Sequence, residues 1–184
     1  MVIPILMKCS DYLNFNIIQL TIMKKTSRIL LLLCFISSCD LFMTANEYYL
    51  EAETFRKDGK PEEAIKLLKK ITTKFSDNSK APDAQYLIAE IYYRDLQDFS
   101  KSIGEYSKFS AAFPENNKAP FSIFMQGYIH ANELMNHDSA SIIYKNFIDK
   151  YPNHEMVESV KFELKYLGLG INEIPELKHL IEKK

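Results

Sequence analysis

Cysteine and histidine are the residue types in this chain best able to do chemistry, and their positions decide which chemistry is open. The cysteines are Cys9, Cys34 and Cys39. Cys39 follows the basic start Met23-Lys24-Lys25-Thr26-Ser27-Arg28, an unbroken apolar run from Ile29 to Ile36, and the small pair Ser37-Ser38. A basic start, a short apolar core and small residues at its end are the parts of an export signal, with the peptidase cut beside the small residues. A cut before Cys39 leaves one thiol, at the new amino terminus, and no internal disulfide can form even in a compartment that permits them. The histidines, His130, His137, His154 and His179, are dispersed, with no pair at metal-ligand spacing. No nucleophile motif or glycine-rich phosphate loop is present. The expectation is therefore no catalytic residues, no metal ligands, no bound cofactor and no small-molecule substrate. His137-Asp138 and Glu62-Glu63 suit helix starts, where the dipole favours negative charge.

Ile36-Ser37-Ser38-Cys39 resembles the lipobox of bacterial lipoproteins. The resemblance implies that the Cys39 thiol is diacylated, the bond before it cut, and the new amino terminus acylated as well. The apolar run is far short of the roughly 20 residues a spanning helix needs, so it reads as a signal core and the lipid does the anchoring. One acyl chain binds only reversibly; two or three chains, at about 0.8 kcal/mol per buried methylene, hold durably. The expected division is a mis-assigned start or non-structural leader over 1–22, a signal peptide over 23–38, a short lipid-anchored linker over 39–44 and a folded domain over 45–184. At about 3.5 Å per residue the linker spans under about 20 Å, which keeps the domain near the bilayer. Asp40 resembles the inner-membrane retention signal of enteric bacteria; the outer membrane is favoured on the resemblance of the chain as a whole.

From Cys39 onward 146 of the 184 residues remain, with 19 basic and 23 acidic side chains and a net charge of −4. That is enough for one domain with a real core. Its lysines are spread along the chain, without the concentrated basic stripe that nucleic acid requires. With only 5 glycines in the chain, helices are expected and turn-rich sheet is not.

The elements betray themselves by self-similarity. Ser102-Ile103-Gly104-Glu105-Tyr106-Ser107-Lys108-Phe109 returns 38 residues later as Ala140-Ser141-Ile142-Ile143-Tyr144-Lys145-Asn146-Phe147. Phe113-Pro114 recurs as Tyr151-Pro152, Lys80-Ala81-Pro82 as Lys118-Ala119-Pro120, and Ala89 as Gly127. An earlier copy holds Ala64, Leu68, Ile71 and Phe75. Within each copy the apolar spacing follows the three-and-four rhythm of a helix face. Gly59-Lys60-Pro61 separates one helix from the next, with proline where its missing N–H costs nothing. Asp138 is placed to cap the helix holding Ala140. The pattern predicts helices over 44–57, 61–74, 81–95, 98–112, 119–135, 138–150, 154–167 and 173–183.

These residues resemble the tetratricopeptide repeat. Ala52, Ala89 and Gly127 match its small position in the first helix, with Phe55 and Tyr92 as the following aromatic. Ala64, Ser102 and Ala140 match the small position of the second helix, followed by Tyr106 and Tyr144 and closed by Pro114 and Pro152. Small residues are needed there because the paired helices cross at close contact. The step exceeds the usual 34, His130 replaces an aromatic, Ser76 a proline, and Lys165 a small residue. The resemblance implies an all-α solenoid of about three helix-pair repeats plus a C-terminal capping helix pair over 154–183. Behind a lipobox it is similar to the periplasmic tetratricopeptide lipoproteins, the BamD-like and Tol-Pal coordinator-like family, and the match covers about residues 45–167.

That resemblance implies an adaptor, held in the cell envelope by its lipid, that takes a protein or peptide partner into the concave groove of first helices within an outer-membrane assembly or other envelope complex. Aligned to that groove are Tyr49, Tyr86, Phe124 and Phe162, one per repeat, with Tyr93, Tyr128 and Tyr166 around them and Glu53, Arg56, Glu90 and Arg94 as polar contacts. Aromatics are efficient anchors. The competing expectations are that the same rings simply fill the space between helices, and that the protein is a self-associating structural lipoprotein with no groove function.

Overall fold

The computed structural model describes residues 43–175, and all regular structure among them is helical. The helices are α1 (Ala45–Lys57), α2 (Pro61–Lys74), α3 (Ala81–Arg94), α4 (Phe99–Ala112), α5 (Ala119–Asn132), α6 (His137–Lys150) and α7 (Val157–Lys165), followed by a 3₁₀ turn at Ile171–Glu173. Each helix packs against the next in sequence, the tightest pairs being α1/α2, α3/α4 and α5/α6. These are three tetratricopeptide-like hairpins stacked as an all-α solenoid, with α7 on the last. The leader over 1–22, the signal over 23–38, Cys39 and the bulk of the 173–183 helix lie outside the described residues.

The columns of small residues sit where the hairpins close. Ala52 and Ala64, Ala89 and Ser102, and Gly127 and Ala140 are all buried, those with side chains fully so. Ser102 satisfies its hydroxyl by donating to the Ala89 carbonyl at 3.0 Å, across the α3/α4 contact. Below them lie Leu68, Tyr106 and Tyr144, then Ile71, Phe109 and Phe147, both columns almost without exposure. Burying each such side chain stabilises by about 1.5–3 kcal/mol. The third repeat is the most crowded: a Cβ added at Gly127 would stand 2.5 Å from Tyr144 Cε1 and 2.7 Å from its Cδ1. Glycine is what lets the tyrosine ring lie against the helix backbone.

Two kinds of turn set the 38-residue step. Within a hairpin the chain reverses through a residue of positive φ, Gly59 (71°), Gln97 (52°) and Met135 (50°), each 38 beyond the last. After it, Asp98 accepts from the Lys101 N–H and Asn136 from the Ser139 N–H, both at 3.1 Å, and so begin α4 and α6. The expected cap Asp138 is thereby corrected: Met135 turns the chain early enough that Asn136 reaches the free amides, and Asp138 falls inside the first helical turn. For the same reason the helix predicted to run to 135 stops at Asn132, where Leu134 N–H bonds the Ile129 carbonyl and Asn136 N–H the His130 carbonyl.

Between hairpins a side-chain acceptor folds the chain back. Asn78 accepts from the Lys80 N–H and Asn116 from the Lys118 N–H, each at 2.9 Å, while His154 Nδ1 accepts from the Met156 N–H at 3.2 Å. The histidine does the work of the two asparagines. It also explains why α7 starts at Val157 instead of the predicted 154, and Gly168, at φ 83°, marks why it ends early.

Gly127→Ala is expected to lower unfolding free energy by about 1–3 kcal/mol through overpacking. Tyr144→Phe removes a buried hydroxyl that has no hydrogen-bond partner among the described residues and should raise it by about 1 kcal/mol. Denaturant titration of both variants checks this. His130 gives a pH signature. Its Nδ1 is buried without a partner, and burial holds the imidazole below its ordinary 6.5. The unfolded chain therefore takes up the proton first: His130 contributes fully above pH 6.5, and that contribution is lost as pH falls through its lower folded value. In melts across pH 7.5 to 5, His130→Phe should flatten this part of the decline.

Candidate functional site

The face available to a partner is the succession of first helices, α1, α3, α5 and α7, of which the first three are joined edge to edge by side chains. Arg56 near the end of α1 makes a two-pronged pair with Asp95, just past α3. One repeat on, the Tyr93 hydroxyl donates to Glu133 Oε1 at 3.1 Å. At the other end of the helices Lys80 and Lys118 reach back over rings of the preceding repeat. Lys80 Nζ lies 4.9 Å from the centre of Tyr49, and Lys118 Nζ 4.8 Å from that of Tyr86. Asp83 bridges the two lysines, at 3.6 Å from Lys80 and 3.2 Å from Lys118.

On this frame the eight residues singled out from the sequence fall into three settings. Tyr49, Tyr86 and Phe124 are half-buried, with one side in the hairpin and one open. Tyr86 meets Tyr106 and Phe109 edge-on, at 5.7 and 5.3 Å between ring centres, and Phe124 stacks on Tyr144 at 6.0 Å and 25°. Burial, helped by Glu53 at the first and Glu90 at the second, pushes the Tyr49 and Tyr86 phenols up to about 12, so both stay neutral donors. Tyr93, Arg94 and Tyr128 form the second group. Tyr93 tilts against Phe99 at 6.1 Å, and burial together with its bond to Glu133 raises it to about 12. Tyr128 is half-buried and lies 6.1 Å from Phe124. Arg94 is 64% exposed and only loosely held by Glu90 at 3.9 Å.

Phe162 and Tyr166 form the third setting. They pack on each other at 4.8 Å, Phe162 on α7 and Tyr166 just past its end, and line a cleft at the end of the stack, with Phe162 exposed and Tyr166 half-buried. None of the eight is fully buried. Each aromatic spends part of its surface in the stack and leaves part of it accessible, so the choice between groove and core is not exclusive.

The sequence reading missed the residues that join the repeats: Asp95, Glu133, Lys80, Lys118 and Asp83. The recurrence of Lys-Ala-Pro was visible, but the ring beneath each lysine lies 31 or 32 residues earlier and follows no step of 38. Among the described residues no group of His, Cys, Asp and Glu is placed to hold a metal ion, and no helix is long and apolar enough to cross a membrane. Cys39, the expected lipid site, lies outside the described residues.

The Arg56–Asp95 pair is about a quarter to a third exposed, so its coupling should be modest. A double-mutant cycle with Arg56→Ala and Asp95→Ala is expected to give about 0.5–1 kcal/mol, shrinking in high salt. Compared with protein families, residues 42–171 fit the family described as YfiO, outer membrane lipoprotein. Among curated proteins, none matches the chain.

Proposed function

The chain belongs to the YfiO family of outer membrane lipoproteins, and from that premise we propose that it is an adaptor which holds a segment of a partner protein against its first-helix face within an envelope assembly complex. In this reading residues 23–38 are the signal, Cys39 carries the lipid, and the short linker before α1 keeps the solenoid at the membrane. Met23 is the start in this reading, and 1–22 takes no part. The protein's contribution is positional, and no bond-making chemistry is assigned to it.

The observation that carries the reading is the run of half-open rings on successive first helices, Tyr49, Tyr86, Phe124 and Tyr128, alternating with exposed or partly exposed charges at Glu53, Glu90 and Arg94. A ring already held on one side loses little entropy on binding and still has area to bury, which is the usual property of an interface anchor. The fixed edges support it further. Arg56–Asp95 and Tyr93–Glu133 hold neighbouring repeats in register, so the rings are presented at set spacing before any partner arrives.

Two measurements test the two halves. Radiolabelled palmitate should enter the native protein and be absent from Cys39→Ala, with the label in the outer-membrane fraction. Affinity capture from detergent-solubilised membranes should return a membrane-complex partner whose yield falls at least tenfold in Tyr128→Ala with Arg94→Glu, the loss expected from removing about 1.4 kcal/mol or more of hot-spot contact. Recovery of the chain alone would instead support the self-associating reading, and an unchanged yield would remove this face from consideration.

A further inference from the structure

The outer side of α2 carries a surplus of positive charge that the rest of the solenoid lacks. Residues 60–74 hold five lysines and two glutamates, whereas residues 76–175 hold nine basic and fourteen acidic side chains. Helix geometry gathers the surplus on one face. Ala64, Ile65, Leu68 and Ile71 are buried in the hairpin, so Lys66, Lys69, Lys70 and Thr73, at three-and-four spacing, turn outward with Lys74 beside them. Glu62 and Glu63 are confined to the first turn, where the helix dipole favours them. Lys66 is 72% exposed and held only by Glu63 at 3.7 Å, and Lys70 leans over the Tyr48 ring at 5.1 Å. Lys69 and Lys74 have no carboxylate partner among the described residues. Along the next hairpin and its flanks the lysines are neutralised: Lys80, Lys101, Lys108 and Lys118 each come within 3.6 Å of an acidic side chain.

Beside this face a cleft of about 440 Å³ opens between α2 and the turn joining α3 to α4. Buried Ile65 and Tyr92 give it an apolar floor, and Lys66, Lys69 and Lys101 stand exposed at its rim. Of the two carboxylates in its wall, Asp98 is already committed, accepting from the Lys101 N–H at 3.1 Å and from its Nζ at 2.6 Å, which leaves Glu62. The apolar side of α2 is used inside the hairpin, so the helix has nothing to insert into a bilayer. Its outer face can meet a membrane only through charge, at the level of the headgroups. Four or more lysines gathered on one helix are what draws anionic lipid, each adding about fivefold to the partitioning. The same number is small for nucleic acid, whose basic footprint runs across a whole domain.

We propose that the outer face of α2, with the lysine-rimmed cleft beside it, rests on anionic phospholipid headgroups of the membrane that holds the protein. Because α2 is a second helix, the contact leaves the first-helix face uncovered. The inference rests on the membrane placement given under the proposed function, but its test needs neither the lipid on Cys39 nor a partner, so each can fail alone.

The experiment takes the chain from residue 39 with Cys39→Ser, which carries no lipid, and measures co-sedimentation with vesicles of phosphatidylcholine, alone or mixed with phosphatidylglycerol. Binding is expected with the mixed vesicles only, and it should disappear in high salt. Lys66→Gln, Lys69→Gln and Lys74→Gln together should weaken it at least tenfold without changing the melting temperature. The matched triple Lys145→Gln, Lys150→Gln and Lys161→Gln, exposed on α6 and α7, should bind as the parent does. In single-cysteine variants the mixed vesicles should slow maleimide labelling of Thr73→Cys several-fold and leave Leu50→Cys, exposed on α1, unchanged. Absence of binding, equal binding to both kinds of vesicle, equal loss in the two triples, or protection of Leu50→Cys in place of Thr73→Cys would overturn the proposal. So would preference for a polyglutamate peptide over the mixed vesicles, which would assign the face to an acidic protein segment.

Discussion

The structure depends on how closely two helices of a hairpin can approach. Ala52 against Ala64, Ala89 against Ser102, and Gly127 against Ala140 leave no side chain to hold the axes apart. With that contact made, the large residues one and two turns further along, Tyr106 and Phe109 or Tyr144 and Phe147, are forced into the interior. Where the ring presses hardest, at Tyr144, even alanine is too large opposite it and glycine takes its place. Ser102 shows the same constraint in polar form, since a hydroxyl is tolerated there because a carbonyl of the facing helix accepts its proton.

Close hairpins still have to be repeated at a fixed rotation, and that task falls to short-range hydrogen bonds in the turns. Asn78, Asn116 and His154 hold three equivalent bends through one acceptor each, while Gly59, Gln97 and Met135 supply the reversals between helices. The second repeat adds a buried polar group of its own. Gln85 donates to Glu105 Oε2 at 2.7 Å, and Lys108 reaches Glu105 Oε1 at 2.8 Å. The matching positions of the third repeat, Ile123, Ile143 and Asn146, carry no such trio. The repeats therefore agree in backbone and differ in filling, which is how a stack of similar units gains a defined order.

For a protein of the outer membrane lipoprotein family, this division of labour has a functional sense. Buried columns and turns give rigidity, and the first helices are left free to carry surface rings and charges. Those rings are clamped from behind by the hairpin and from the side by Lys80 and Lys118. A surface of that kind is ordered by the fold itself.

The amino-acid sequence by itself determined the period, the pairing of helices and most of their limits, because small, aromatic and proline residues recur at 38 and each acts through contacts within its own hairpin. The limits of α1 to α4 were legible to within about a residue for that reason. It did not disclose that Asn136 and not Asp138 starts α6, or that His154 shortens α7, since both follow from a backbone reversal that many residue types can adopt. Nor did it disclose the latches Arg56–Asp95, Tyr93–Glu133 and Lys118–Tyr86, or the end cleft that gathers Phe162 and Tyr166 away from the other rings. Those contacts join residues 32 to 40 apart across a helical stack. Their partners are chosen by the rotation between repeats, a quantity that exists only once the helices have packed.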